Sequence, residues 1–228
     1  LPTLIEELHQ LKFKFGIYGA ASGVTCGVRP GQLYYEAQDV QQYIDEWDVD
    51  FIKSDNCANY ALDSSVRFRA LRDALWRNGK KKNVVLSIEP FSMLPDPSQS
   101  NEISDMWRTG QDIEGNLEAI LDRANIADKW APLAGPKLGW NDPDMINVQN
   151  PTSKNGLTLG ENRIYFGLWC LMKAPLLLST DLHNLTQDVI NIISNPEVIA
   201  LNQDVLGIPA RKIQYSSTDG SSTMKTLP

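Results

Sequence analysis

Val49-Asp50-Phe51-Ile52-Lys53-Ser54-Asp55-Asn56-Cys57 decides how the rest of the chain reads. The stretch begins apolar-rich and ends in polar groups. Successive side chains of a strand point to opposite faces, so Lys53 and Asp55 share one face. In a parallel βα barrel both would project inward at the C-terminal mouth, where enzymes of that fold carry their chemistry. A cation so placed favours an ionised carboxylate, and an ionised, held carboxylate can act as a nucleophile. An Asp-Asn turn after a buried strand explains the same spacing, so spacing by itself does not separate the two readings.

Upstream, Leu4, Ile5, Leu8 and Leu11 share one helical face and predict a helix over 3–12. A strand over Phe13 to Tyr18 follows, then a loop from Gly19 to Gly23 and a turn at Pro30-Gly31. Glu36 to Trp47 reads as a second helix, with Val40, Tyr43, Ile44 and Trp47 on one side. Downstream, a helix over 65–78 takes Asp63 or Ser64 as its N-cap and Gly79 as its stop. In the strand Val84 to Glu89, Val84, Leu86 and Ile88 face helices, and Glu89 ends at the mouth.

Ile103 to Arg108 is a short strand leading to Thr109-Gly110-Gln111-Asp112, with a helix over 115–129 after it. Leu138 to Asn141 is a weak strand before Asp142-Pro143-Asp144, and 147–160 is a loop. Asn162 to Lys173 reads as an apolar helix, Pro175 to Ser179 as a buried strand, and 187–194 and 197–201 as short helices. Beyond Gly207 the pattern changes to that of a β-hairpin.

Strands alternating with helices predict an α/β fold with a parallel sheet. The six strand–helix units fall short of the eight strands of a closed barrel, which takes about 250 residues. An open doubly wound sheet is the alternative, but no Gly-rich dinucleotide turn follows any strand. Polar residues at the ends of at least four strands favour the barrel.

A chain of 228 residues, 42% of them hydrophobic, is enough for one or two domains with a core. A net charge of -7 argues against a nucleic-acid partner. The one basic run, Lys80-Lys81-Lys82, reads as a solvated helix end. No apolar run is long enough to cross a bilayer, so no membrane partner is expected. With only His9 and His183, and cysteines at 26, 57 and 170 alone, neither a metal nor a cofactor is expected. Cys26 and Cys57 follow successive strands and could lie within disulfide reach, whereas Cys170 reads as a buried free thiol. Asn184-Leu185-Thr186 is a glycosylation sequon that leans towards a secreted, lysosomal or vacuolar setting.

Several segments, in order over residues 10 to 207, resemble the α-galactosidase (melibiase) family, glycoside hydrolase family 27. They are Lys14-Phe15-Gly16-Ile17-Tyr18, Thr25-Cys26, Lys53-Ser54-Asp55-Asn56-Cys57, Trp107-Arg108 with Asp112, Gly139-Trp140-Asn141-Asp142-Pro143-Asp144-Met145, Ala174-Pro175-Leu176 and Ala200-Leu201-Asn202-Gln203-Asp204. The resemblance implies a (β/α)8 TIM barrel followed by a small β-sandwich. The expected organisation is a partial catalytic barrel over 1–207 and the beginning of a C-terminal β domain over 208–228. The barrel is expected to lack its first two strands, as an N-terminally truncated chain would, leaving exposed sheet edges and a poorly soluble, inactive product.

The resemblance also implies roles. Asp55 would be the nucleophile and Asp112 the general acid/base. Tyr18, Lys53, Glu89, Arg108 and Asp144 would bind the sugar, and Cys26 and Cys57 would form a disulfide tying two loops of the site. Pro90 stands after Glu89 where relatives commonly have Trp, which alters the local wall of the sugar pocket.

Retaining hydrolysis needs two carboxyl groups about 5 to 5.5 Å apart, one attacking and one donating a proton. Glu89 can accept from a sugar 2-hydroxyl, and in the family a Glu here goes with galactose and a small residue with N-acetylgalactosamine. The expected substrate is therefore a terminal α-galactoside. The alternatives are an α-N-acetylgalactosaminidase or β-L-arabinopyranosidase of the same family, a non-catalytic sugar-binding relative, and a phosphate-handling barrel enzyme. The acidic ends Asp142-Pro143-Asp144 and Ser179-Thr180-Asp181 would repel phosphate and argue against the last. A homodimer stays open.

Each residue also has a bland reading. Lys53 and Asp55 could be a structural ion pair, Arg108 and Asp112 an i, i+4 pair at a helix start, and Asp142-Pro143-Asp144 a turn. Tyr18 could fill the core, although Gly16 and Gly19 around it suggest a close approach to the backbone.

Overall fold

The computed structural model describes every residue except 59–61, 79–83, 91–96, 154–155, 219–220 and 227–228. Gly79 and Lys80 to Lys82, read above as a helix stop and a solvated helix end, lie outside the described residues. The chain divides into two compact units, Leu1–Arg108 and Thr109–Pro228.

In the first unit the elements are α1 (Pro2–Gln10), β1 (Gly16–Ala20), α2 (Glu36–Gln41), β2 (Phe51–Asp55), α3 (Ser64–Arg77), β3 (Val85–Ile88) and β4 (Met106–Arg108). The strands pair in sequence order and in parallel. The register sets Tyr18 beside Lys53, Ala20 beside Asp55, and Lys53 beside Ser87. Because all four strands run the same way, their polar C-terminal residues emerge at one end. Ile52, Leu86, Ile88 and Trp107 are buried, as is Phe68 of α3.

Several expectations shift in detail. Of the predicted α1 face only Ile5 is buried, while Leu4 and Leu11 are about half and two-thirds exposed. The predicted helix over 36–47 is α-helical to Gln41 and then a π-helical turn, Gln42–Glu46. Val40 and Ile44 of that face are buried, and the Tyr43 and Trp47 rings stand 5.6 Å apart. Asp63 caps α3 by accepting from the Ser65 amide at 2.8 Å. The close approaches that Gly16 and Gly19 suggested are made by protein: a Cβ on Gly16 would meet the Phe51 ring at 2.9 Å, and one on Gly19 the Gln32 amide at 2.7 Å.

The second unit contains α4 (Leu117–Trp130), β5 (Trp140–Asp142), α5 (Leu159–Leu171), α6 (Gln187–Ile193), α7 (Pro196–Asn202), β6 (Ile213–Thr218) and β7 (Ser221–Thr226). Its core gathers Ile120, Ile146, Val148, Tyr165, Phe166, Trp169 and Val189 around the buried thiol Cys170. Burial pushes that thiol up to about 11, the behaviour of an inert core cysteine. β6 and β7 form an antiparallel hairpin. The strand expected over 175–179 is reduced to a single parallel bridge between Ile146 and Leu178. Pro175 has no amide to donate, so a continuous ladder cannot start there.

Candidate active site

The C-terminal ends of β1 and β2 build the first group. Tyr18 Oη donates to Asp55 Oδ2 at 2.6 Å, and the Asn56 amide donates to Asp55 Oδ1, also at 2.6 Å. Both carboxylate oxygens are thus engaged, which fixes the group's rotation. Burial, helped by the hydrogen bond to Asp55, pushes the Tyr18 phenol far above its ordinary range, so it stays a donor.

Cys26 and Cys57 are joined in a disulfide, with their Cα atoms 5.0 Å apart. It lies against the same carboxylate: Cys26 Sγ is 3.7 Å from Asp55 Oδ2, and Cys57 Sγ is 3.7 Å from Tyr18 Oη. Cys26, Asp55 and Cys57 are close enough to suggest a metal cluster, but sulfurs committed to a disulfide are not thiolate ligands.

The second group follows β3 and β4. Glu89 Oε2 lies 3.0 Å from Arg108 Nη1 and 3.7 Å from Lys53 Nζ. The partly buried carboxylate therefore has cations to offset its desolvation. Lys53 faces the mouth as alternation predicts, and the structure shows it in an ion pair with Glu89. Arg108 closes β4, whereas Asp112 is an exposed residue of the loop before α4. The i, i+4 helical reading of that pair is thereby removed, because neither residue is helical.

In the second unit, Asp144 is buried at a left-handed φ of 100°. A non-glycine residue adopts that backbone only when its surroundings enforce it. Its amide donates to Asp142 Oδ1 at 2.9 Å, closing the turn. Its carboxylate accepts from the Met145 amide and the Ile113 amide, each at 2.7 Å, and Trp169 Nε1 donates to its carbonyl at 2.7 Å. Asp142-Pro143-Asp144 is thus a turn, and it also tethers the residue next to Asp112.

Sequence reasoning missed three residues that build this site. Arg67 of α3 is 1% exposed and reaches the loops after β1 and β2. Its signal was a charge on the buried face, one turn before Leu71. Asn56 carries no site role in the sequence reading, yet its amide holds Asp55 Oδ1. Gln32 is 2% exposed and its Oε1 accepts from Ser54 Oγ at 3.1 Å, a contact that no local pattern announces.

Parallel strands that bring acids, a lysine, an arginine and a disulfide to their C-terminal ends define an α/β-barrel chain with an acidic, cross-linked mouth. Comparison with known proteins makes this specific: residues 1–204 match the Melibiase_2 family, described as Alpha galactosidase A, and the chain belongs to that family.

The chain is 39% identical to Alpha-galactosidase 3 of Arabidopsis thaliana over 94% of its own length and 47% of that protein. It is 33% identical to human Alpha-N-acetylgalactosaminidase over 93% of its length and 53% of that protein. Among solved structures, alpha-galactosidase I from Mortierella vinacea aligns with a TM-score of 0.80 and 27% identity, covering 98% of this chain and 60% of that one. The Saccharomyces cerevisiae enzyme with raffinose aligns at 0.78 and 28%, covering 95% and 52%. The fold is therefore that family's α/β TIM barrel, here in part: the chain spans about half the length of the curated relatives it matches.

Proposed function

We propose that the complete protein carrying this sequence is a retaining glycosidase that releases terminal α-galactose from oligosaccharides or glycoconjugates. The observation that carries the reading is Asp55, held at both oxygens by Tyr18 and Asn56 and flanked by the disulfide. A carboxylate fixed in this way is set to attack an anomeric carbon rather than to wander among rotamers. Asp112 serves as the acid that protonates the departing oxygen and then as the base that activates water. Lys53, Glu89, Arg108 and Asp144 take the sugar hydroxyls, and Glu89 faces the 2-hydroxyl.

The second reading is an α-N-acetylgalactosaminidase, favoured by the likeness to the human enzyme of that name. Glu89 weighs against it, since an N-acetyl group needs room where the carboxylate stands. The disulfide and the exposed sequon at Asn184 support a secreted, lysosomal or vacuolar protein. Residues 208–228, with their antiparallel hairpin, are taken as the beginning of a further β domain.

The test uses the complete protein and two nitrophenyl sugars. Faster release from the α-galactoside than from the α-N-acetylgalactosaminide is expected, with no turnover by a folded Asp55→Asn variant. Preference for the N-acetyl sugar would transfer the assignment to the second reading. Full activity of Asp55→Asn would remove the mechanism.

A further inference from the structure

Arg67 is a cation buried inside the first unit, and no carboxylate lies within ion-pair distance of it among the described residues. Burial lowers its pKa, opposed only by the charge of Asp63. A buried charge of this kind is costly unless every donor is used. The structure uses the guanidinium in three directions: Nε donates to the Leu62 carbonyl at 3.2 Å, Nη1 to the Ala21 carbonyl, and Nη2 to Asn56 Oδ1.

Two of these three acceptors sit beside the candidate nucleophile. The Ala21 amide donates to the Asp55 carbonyl at 2.9 Å, so residue Ala21 joins the ends of β1 and β2. The Asn56 amide donates to Asp55 Oδ1. Among the described residues the buried Asn56 Nδ2 atom has no partner, and the bond from Arg67 orients that side chain.

We propose that Arg67 is a positioning residue for the glycosidase reaction: it holds the Ala21 carbonyl and the Asn56 side chain and so fixes the angle at which Asp55 presents its carboxylate. The proposal rests on the reading of Asp55 as the nucleophile. The fork is what matters. A lysine ammonium in the same place keeps the charge but cannot meet three acceptors in one plane.

The experiment compares the complete wild-type protein with Arg67→Lys and Asn56→Ala, using nitrophenyl α-galactoside. Three quantities are read: kcat per active site counted by a covalent fluorosugar trap, KM, and Tm. A misplacement of about 1 Å costs on the order of a hundredfold, so kcat should fall roughly ten- to a hundredfold in Arg67→Lys with KM little changed. Asn56→Ala should fall in the same direction by a smaller factor. Added guanidinium at low concentration should restore part of kcat in a folded Arg67→Ala variant.

A drop in Tm with an unchanged kcat per trapped site in Arg67→Lys would show a structural role only and overturn the proposal. Should the Arg67 variants fail to fold, Asn56→Ala decides: an unchanged kcat overturns it and a lowered kcat at unchanged KM supports it. If the wild-type protein hydrolyses no glycoside, the underlying reading has failed instead.

Discussion

At the scale of single residues, the hydrogen bond from Tyr18 to Asp55 is an exposed contact, since Tyr18 is 48% accessible. A bond to a charged acceptor is worth about 1.5–3 kcal/mol, and half-exposure places this one at the lower end. Tyr18→Phe should therefore lower kcat/KM about tenfold. Because the phenol titrates far above its ordinary range, it stays protonated throughout the working pH. The alkaline limb of the pH–rate profile should thus keep its position in the variant, and a moved limb would mean that Tyr18 itself titrates there.

Lys53, Asp55 and Glu89 were legible in the sequence because a strand's period of two forces them to its mouth. The contribution of Arg67 was not, because it depends on a helix carrying a side chain across to two loops that are distant in sequence.

Among the elements, the helices were read best and the short strands worst. The apolar run Leu176 to Leu178 predicts a buried strand, but Leu177 and Leu178 are 39% and 38% exposed, and the segment finds no ladder. Here it makes one bridge, with the Ile146 amide on the Leu177 carbonyl and the Ser179 amide on the Ile146 carbonyl. α5 begins earlier than the apolar pattern suggested because Thr158 and Glu161 form a capping box. Glu161 Oε2 accepts from the Thr158 amide at 2.8 Å, and Thr158 Oγ1 accepts from the Glu161 amide at 3.2 Å.

Removing that cap by Thr158→Ala should lower Tm by roughly 2–4 °C in thermal melts. The hydrogen bonds from Thr158 hold the Glu161 carboxyl below its ordinary range. A depressed folded pKa stabilises above the unfolded value and loses that effect as pH falls through the folded one. The Tm gap between wild type and Glu161→Gln should therefore be present at neutral pH and close as the pH drops below the ordinary carboxylate range. A gap independent of pH would refute the charged cap.

For the whole molecule, the three cysteines divide cleanly by environment. Cys26 and Cys57 close a loop across a sequence separation of 31, at the carboxylate the mechanism needs. Cys170 sits in the core of the second unit with its thiol pushed up by burial. A loop of that size is worth about 3–4 kcal/mol in the unfolded-chain account of disulfides. At about 2–4 °C per kcal/mol for a chain of this size, its loss should lower Tm by roughly 10 °C.

Activity should fall further than stability, because the sulfurs pack directly on Asp55 and Tyr18. Two measurements check this. Peptide mapping of protein from an oxidising host, alkylated in denaturant without reductant, should label the Cys170 peptide and leave those of Cys26 and Cys57 linked. Protein made in a reducing cytosol should carry label on all three, melt lower, and recover turnover on reoxidation. Equal Tm and equal kcat in the two preparations would show that the cross-link supports neither the fold nor the site, and that Asp55 is held by Tyr18 and the Asn56 amide without it.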